Sequence, residues 1–163
     1  KVTGDAMEVR GGCGYIEEWS DARLVRDAHL GSIWEGTSHI VALDVSRAIS
    51  RDDALPALKA HNEELLRGAA LDAETQSLFA GALDRACAFA ADVAARKSDV
   101  LARQSASALY HITTAIGLAR EAAELRTPHR LDLARMVLTN RLLPRDPLQA
   151  EEDAAALDSV LAA

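Results

Sequence analysis

The sequence predicts an all-α protein, a bundle of helices joined by short connections. Hydrophobic residues make up 49% of the 163 residues, whereas aromatic residues make up only 4%. Alanine, leucine and valine must therefore build most of the core, and such a composition favours packed helices over sheets. Only four prolines and nine glycines interrupt the chain. The length is sufficient for a domain with a sizeable core.

The N-terminal part of the chain is predicted to hold two helices separated by an irregular segment. The first ten residues read as the last turns of a helix, which a glycine cluster then ends. Residues 15–30 are mixed in character, so we expect irregular structure with a short helix. From about residue 37 to Arg51 apolar residues recur at helical spacing, and Thr37 or Ser38 is the expected N-cap.

The remaining helices follow from apolar stripes and from breaks between them. Asp52 and Asp53 break the chain, and Pro56 falls in the first turn of the next helix, where proline is tolerated. Thr127 followed by Pro128 has the pattern of an N-cap and a first helical residue. Further helices are therefore predicted over 54–69, 73–97, 99–125 and from Pro128 to Pro144, with a short or frayed helix over 149–162. The predicted core stripes are Phe79, Leu83, Ala86, Ala90 and Val93; Leu101, Ala108, Ile112, Ala115 and Ala119; Leu131, Ala134, Leu138 and Leu142.

The charge distribution does not predict a nucleic-acid or membrane partner for the chain as a whole. The net charge is −7 and the isoelectric point about 5.2, which gives no global attraction to phosphates or acidic lipids. Residues 96–145 nevertheless hold nine Lys and Arg against four Asp and Glu. We interpret these cations as a solvated face, because Tyr110 is the only aromatic residue there that could stack on a base.

Cysteine and histidine usage predicts neither a metal site nor a redox motif. Cys13 and Cys87 have no metal-ligand or disulfide-exchange spacing and fit a reduced, cytoplasmic setting. His61 and His129 have no ligand partner at metal spacing. No segment has the pattern of a signal peptide or of a membrane span. Since the chain begins with Lys1 inside an apparent helix, we expect a fragment of a longer protein.

Three short motifs in the first 50 residues are more specific. Gly11 to Tyr15 reads GGCGY, Arg26 to Ala28 reads RDA, and Ile33 to Thr37 reads IWEGT, followed by a predicted helix that contains Arg47. In this order and spacing the segment closely resembles the C-terminal helical domain of the acyl-CoA dehydrogenase flavoproteins. The resemblance implies that residues 1–51 are the end of that domain and that residues 52–163 are an appended helical bundle.

The resemblance implies a catalytic role for Glu35. In many family members the Glu of this motif removes a proton from the carbon α to an acyl-CoA thioester, while a hydride leaves the β carbon for the flavin. The adjacent Trp34 and Gly36 would line the substrate pocket. Burial beside an apolar ligand would raise the pKa of the carboxylate and its basicity. Without the resemblance, an exposed carboxylate favoured by the dipole of the following helix would be the better explanation of the residue.

The resemblance also implies a cofactor and partners. Gly11 and Gly12 would approach the FAD of a neighbouring subunit in a homo-oligomer, and Thr37 and His39 the FAD of the same subunit. Glu8 and His39 differ from the residues common in the family at their positions. The implied electron acceptor is an electron-transfer flavoprotein.

Other sequence features leave alternatives open. Trp34 and the run from Ala42 to Val45 look more like the AidB-like branch, whose extension can carry DNA-binding charge, and a non-catalytic helical oligomerisation module is a third possibility. Arg26 and Asp27 are expected to be structural, as an ion pair. Trp19 and Trp34 are expected to lie partly in the core.

Overall fold

The structure, a computed structural model, describes residues 1–34, 36–144 and 154–162, and all regular structure in these ranges is helical. The predicted all-α class is therefore confirmed. The helices are α1 (Val2–Val9), α2 (Gly12–Tyr15), α3 (Asp21–Trp34), α4 (Ser38–Asp52), α5 (Ala54–Arg67), α6 (Ala73–Ala95), α7 (Asp99–Leu125), α8 (Pro128–Arg141) and α9 (Ala154–Leu161).

The chain divides into two compact units, residues 1–41 and 42–163, so that the boundary falls within α4. The division predicted at residue 51 depends on the motifs and stays a prediction. The smaller unit contains α1, α2 and α3, which contact one another. The larger unit contains α5 to α9 with the second part of α4.

Helix α3 occupies a segment predicted to be mostly irregular, and that expectation was wrong. Asp21 lies in its first turn, where a carboxylate interacts favourably with the helix dipole. Arg23 and Asp27 form an ion pair of 3.5 Å one turn apart on its surface, a spacing that supports a helix. The helix packs on α1 and buries Ala22.

The core of the larger unit is built from the predicted stripes of three long helices. Phe79, Ile112 and Leu138 come from α6, α7 and α8, and each is fully buried. Burial of such side chains contributes about 1.5–3 kcal/mol each relative to exposure. Val45 and Ile49 of α4 pack against the same cluster. The other predicted stripe residues that are buried are Leu83, Ala86, Ala90, Val93, Ala115, Ala119 and Ala134.

The helix ends follow the expected sequence signals only in part. Asp72 caps α6, since its carboxylate accepts a hydrogen bond of 2.8 Å from the N–H of Thr75. Pro128 is the first residue of α8, as predicted. Asp53 occupies the N-cap position of α5 with a left-handed backbone (φ 50°), and its side chain makes no capping hydrogen bond to the helix.

Helices α5 and α7 approach closely where α5 ends. A Cβ atom built on Gly68 would lie 1.6 Å from Nη1 of Arg120, so the guanidinium occupies the space that a side chain at residue 68 would need. Arg120 in turn forms an ion pair of 2.6 Å with Glu124 on its own helix. Across residues 1–34, 36–144 and 154–162, no helix combines the length and the apolar character that a membrane crossing requires.

Candidate active site

The turn between α1 and α2 is shaped by its glycines. Gly11 has φ +60°, a backbone conformation that side chains rarely adopt. Its N–H donates to the carbonyl of Glu8, and its carbonyl accepts from the N–H of Gly14, both at 3.0 Å. A Cβ on the buried Gly14 would lie 2.2 Å from the carbonyl oxygen of Met7. The cluster therefore ends α1, as predicted, but it also starts the single helical turn α2.

The outer face of this turn is open. Gly11 and Gly12 are exposed, and a Cβ atom on either would meet no described atom within 4 Å. A flat or phosphate-bearing group can therefore approach the backbone closely. This open backbone fits the FAD contact that the resemblance implies, and the nearby Glu8 is itself exposed to solvent.

Ion pairs hold the loop between α2 and α3, and they differ from the expected pair. Arg26 donates to both carboxylate oxygens of Glu17, at 2.6 and 3.0 Å. The hydrogen bond and the charge of Arg26 lower the pKa of Glu17. Asp27 pairs instead with Arg23. The predicted pair of Arg26 with Asp27 was wrong because adjacent residues of a helix do not face each other.

A second contact fixes the same loop to the end of α1. Nε of Arg10 lies 3.2 Å from a carboxylate oxygen of Asp21, and its guanidinium lies over the ring of Trp19 at 5.4 Å from the centroid. Such cation–π contacts contribute about 0.5–1 kcal/mol at exposed sites. Trp19 is 50% exposed and Trp34 is 79% exposed. The expected partial burial was therefore wrong for Trp34, because the described residues of its unit do not cover it.

The second group of predicted site residues lies at the connection between α3 and α4. Trp34 is the last residue of α3, and Glu35 lies outside the described residues. Gly36 has φ +92°, and a Cβ there would lie 3.3 Å from Cγ2 of Ile40. The carbonyl of Thr37 accepts from the N–H of Val41 at 3.1 Å, which places Thr37 at the start of α4.

The predicted site residues form two groups. One is Gly11 and Gly12, and the other comprises Trp34, Gly36, Thr37 and His39. No hydrogen bond or ion pair joins the groups within the described part of the smaller unit. Thr37 and His39 are exposed, so both are accessible to a ligand. The geometry thus presents two open surfaces, one of exposed glycine backbone and one of exposed polar side chains.

The cations of the larger unit are partly neutralised. Eight of the nine between residues 96 and 145 are described by the structure, and four of these form ion pairs with carboxylates: Arg96 with Asp92, Arg120 with Glu124, Arg130 with Glu121, and Arg135 with Asp72. Such pairing weakens the field that a nucleic acid would meet.

No group of three His, Cys, Asp or Glu within 1–34, 36–144 and 154–162 is arranged to hold a metal ion.

The sequence interpretation missed one cluster in the larger unit. Arg85, His111 and Arg141 line a common cleft although they lie on α6, α7 and α8. No spacing along the chain indicates this, because the helix packing alone brings them together. The rings of Tyr110 and His111, adjacent residues of α7, meet edge to face at 5.2 Å.

Comparison with known proteins finds similarity in the first part of the chain. Residues 1–50 match the family model of the acyl-CoA dehydrogenase C-terminal domain. The putative acyl-CoA dehydrogenase AidB of Escherichia coli (strain K12) is 49% identical over 47 residues, which are 29% of this chain and 9% of that protein. Acyl-CoA dehydrogenase family member 11 of Caenorhabditis elegans is 38% identical over 66 residues, 40% of this chain and 11% of that protein.

Further matches point to the same family. The mitochondrial isobutyryl-CoA dehydrogenase of Dictyostelium discoideum is 38% identical over 53 residues, 32% of this chain and 13% of that protein. The chain thus spans only about a tenth of the length of these relatives. No solved structure matches the chain. The resemblance predicted from the motifs is confirmed for residues 1–50, which are similar to the C-terminal domain of acyl-CoA dehydrogenases.

Proposed function

We propose that the protein containing these residues is an FAD-dependent acyl-CoA dehydrogenase in which Glu35 is the catalytic base. The observation that carries the proposal is the family match over residues 1–50, which includes all three motifs. The described neighbours of Glu35 support it. Trp34 ends α3 and is exposed, and Gly36 takes a positive φ, so the segment has the exposure and the backbone freedom that close approach to a substrate requires.

In the proposed reaction the carboxylate of Glu35 removes the proton from the carbon α to the thioester carbonyl. The backbone N–H of the same residue donates to the carbonyl oxygen and stabilises the negative charge that develops there. Trp34 and Gly36 line the pocket, and exclusion of water by the bound acyl chain would favour the action of the carboxylate as a base. When bound, FAD would supply the acceptor for the hydride that leaves the β carbon, and the product would be a trans-2-enoyl thioester.

The proposed cofactor contacts use both open surfaces. The exposed backbone of Gly11 and Gly12 approaches the FAD of a neighbouring subunit, and Thr37 and His39 approach the FAD of their own subunit.

The proposed electron acceptor is an electron-transfer flavoprotein, and the proposed setting is the cytoplasm. The proposed homo-oligomer is supported by large apolar side chains that are exposed in the smaller unit, since an interface with another subunit would bury such side chains; they include Val9, Tyr15, Leu24, Leu30, Ile33 and Trp34.

The test is flavin bleaching in the intact protein under anaerobic conditions, across a panel of acyl-CoA thioesters. We expect the wild-type protein to bleach with at least one thioester. Glu35→Gln is expected to retain FAD and to lose bleaching by about 100-fold or more, since general base catalysis contributes about that much. Glu64→Gln on α5 is the matched control, because this carboxylate is exposed in the other unit.

Two results would contradict the proposal. Bleaching in Glu35→Gln at the rate of the control would exclude Glu35 as the base. A protein that holds FAD but bleaches with no thioester on the panel would remove the support for dehydrogenation of these substrates.

A further inference from the structure

A cleft of about 460 Å³ lies among helices α6, α7 and α8 of the larger unit. Its polar wall is formed by Arg85, Gln104, Ser107, His111, Asn140 and Arg141. These residues lie outside the segment that matches the dehydrogenase family. The cleft is therefore separate from the proposed dehydrogenase site in sequence.

The charged residues that line the cleft in the described part of the chain are all basic. No Asp or Glu is among its lining residues in the described part of the chain. Arg85 and Arg141 form no ion pair with a carboxylate of residues 1–34, 36–144 or 154–162, unlike Arg96, Arg120 and Arg130. Two guanidinium groups and an imidazole from three helices thus share one concave surface without a described counter-charge.

The surroundings of His111 disfavour the protonated, positively charged form of its imidazole. It is half-buried, and burial together with the charge of Arg141 lowers its pKa. The other titratable or charged groups that line the cleft are Arg85 of α6 and Arg141 of α8. An anion in the cleft would reverse the repulsion, because it favours the charged form of the imidazole.

We propose that this cleft binds a small phosphorylated molecule, whose phosphate is held by Arg85, His111 and Arg141. Phosphate carries about −1.5 to −2 charges at neutral pH, which matches two guanidinium groups and an imidazole. Guanidinium groups bind phosphate through paired, charge-assisted hydrogen bonds. The hydroxyl of Ser107 and the side-chain amide of Gln104 supply neutral donors beside them.

The size of the cleft indicates that the ligand is more than a phosphate ion. Ligand pockets for whole small molecules have volumes of about 300–1,000 Å³, and this cleft falls in that range. Phe89, Leu142 and Ala82 provide an apolar part of its wall. A phosphomonoester with an aromatic or apolar body, as in a nucleoside monophosphate, therefore suits both parts of the surface.

The experiment titrates the full chain with inorganic phosphate, with adenosine 5′-monophosphate and with adenosine, following the ring signals of His111 by NMR and the heat of binding by calorimetry. We expect saturable binding of the monophosphate, a rise in the pKa of His111, and no comparable binding of adenosine. Arg85→Gln and Arg141→Gln are each expected to weaken binding by about tenfold or more, since each removes a charge-assisted contact.

Arg103→Gln is the matched control, because Arg103 is exposed on α7 and does not line the cleft. Equal weakening by the control, equal binding of adenosine, or no shift at His111 would each overturn the proposal. A DNA duplex that binds more tightly than the monophosphate through Arg85 and Arg141 would overturn the assignment to a small molecule. Circular dichroism of each variant verifies the helical fold, and Arg85→Lys and Arg141→Lys, which keep the charge, are expected to retain part of the binding.

Discussion

Three alanine substitutions in one turn separate backbone strain, steric clash and ligand access at the proposed cofactor surface. Each adds the same methyl group, at Gly11, Gly12 or Gly14. At Gly14 the new Cβ would lie 2.2 Å from the carbonyl oxygen of Met7 and 3.0 Å from Cβ of Arg10. The carbonyl belongs to the backbone and cannot rotate away, so α2 must move from α1, at a cost of about 1–3 kcal/mol.

The other two positions have open space, so their costs have different origins. At Gly11 the backbone has φ +60° and ψ −139°, close to a region used almost solely by glycine, and we expect a cost of about 1–3 kcal/mol from strain. At Gly12 the Cβ meets nothing within 4 Å and the residue is helical. Alanine is the better helix former there, so Gly12→Ala is expected to be neutral or to stabilise the turn by up to about 0.5–1 kcal/mol.

The assay is peptide-resolved hydrogen exchange over α1 to α3 in the intact protein, which measures local opening free energies, together with the FAD content of each variant. Gly14→Ala and Gly11→Ala are expected to raise exchange in this region. Gly12→Ala is expected to leave exchange unchanged and to lower FAD content, if its methyl group obstructs the proposed contact. Exchange in Gly14→Ala equal to that in Gly12→Ala would refute the close packing of α2 on α1. Full FAD content in Gly12→Ala would refute the proposed role of that backbone.

Three further predictions concern the core, the thiols and an ion pair. Leu138→Ala is expected to destabilise the larger unit by about 2–5 kcal/mol in urea titrations, because it leaves a cavity at a fully buried site. Iodoacetamide is expected to alkylate Cys13, which is exposed, well before Cys87, whose thiol is buried and has a raised pKa, as mass spectrometry would show. Since Arg26 lowers the pKa of Glu17, Arg26→Gln is expected to raise that pKa in NMR titrations. The ion pair contributes stability above the ordinary pKa of 4.5, and that contribution is lost as the pH falls through the lowered value.

Each of these predictions has a control and a contradicting result. Leu125→Ala removes the same atoms from a side chain that is 59% exposed, and a loss for Leu138→Ala no larger than for this control would contradict the packing of α8. In urea both cysteines are expected to react, and equal rates in the native protein would contradict the burial of Cys87. A pKa of Glu17 that does not change in Arg26→Gln would show that the ion pair does not form in solution.

The long helices of the larger unit could be predicted because their apolar stripes face a core within the same unit. The bounds predicted for α7 agree with the structure, since breaking residues flank an uninterrupted stripe that includes Ile112, Ala115 and Ala119, all buried. Helix α3 could not be predicted in the same way. Its apolar residues Leu24, Leu30 and Ile33 are exposed, so they form no stripe that faces a core. The contacts that the helix does make are ion pairs on its surface and packing against α1.

The candidate site residues show the same contrast. Some belong to motifs of adjacent residues, which the sequence reveals, and others come together only through helix packing. The motifs around Gly11 and Gly36 are each an uninterrupted run of residues, so the sequence alone reveals them. Both glycines take the positive φ for which glycine is suited. The role of Glu35 stays a prediction, because that residue lies outside the described part. The cluster of Arg85, His111 and Arg141 depends on how α6, α7 and α8 pack, and a distance along the chain contains no information about it.

The connections of the larger unit have a consequence for how it folds. Only five residues separate α5 from α6, three separate α6 from α7, and two separate α7 from α8. Each of these helices contacts its neighbour in the chain, and α5 also contacts α7. Contacts so close in sequence require little loop-closure entropy, and helical bundles of this kind fold in microseconds to milliseconds. On the ribosome, each of these helices can therefore dock on its predecessor soon after both have emerged.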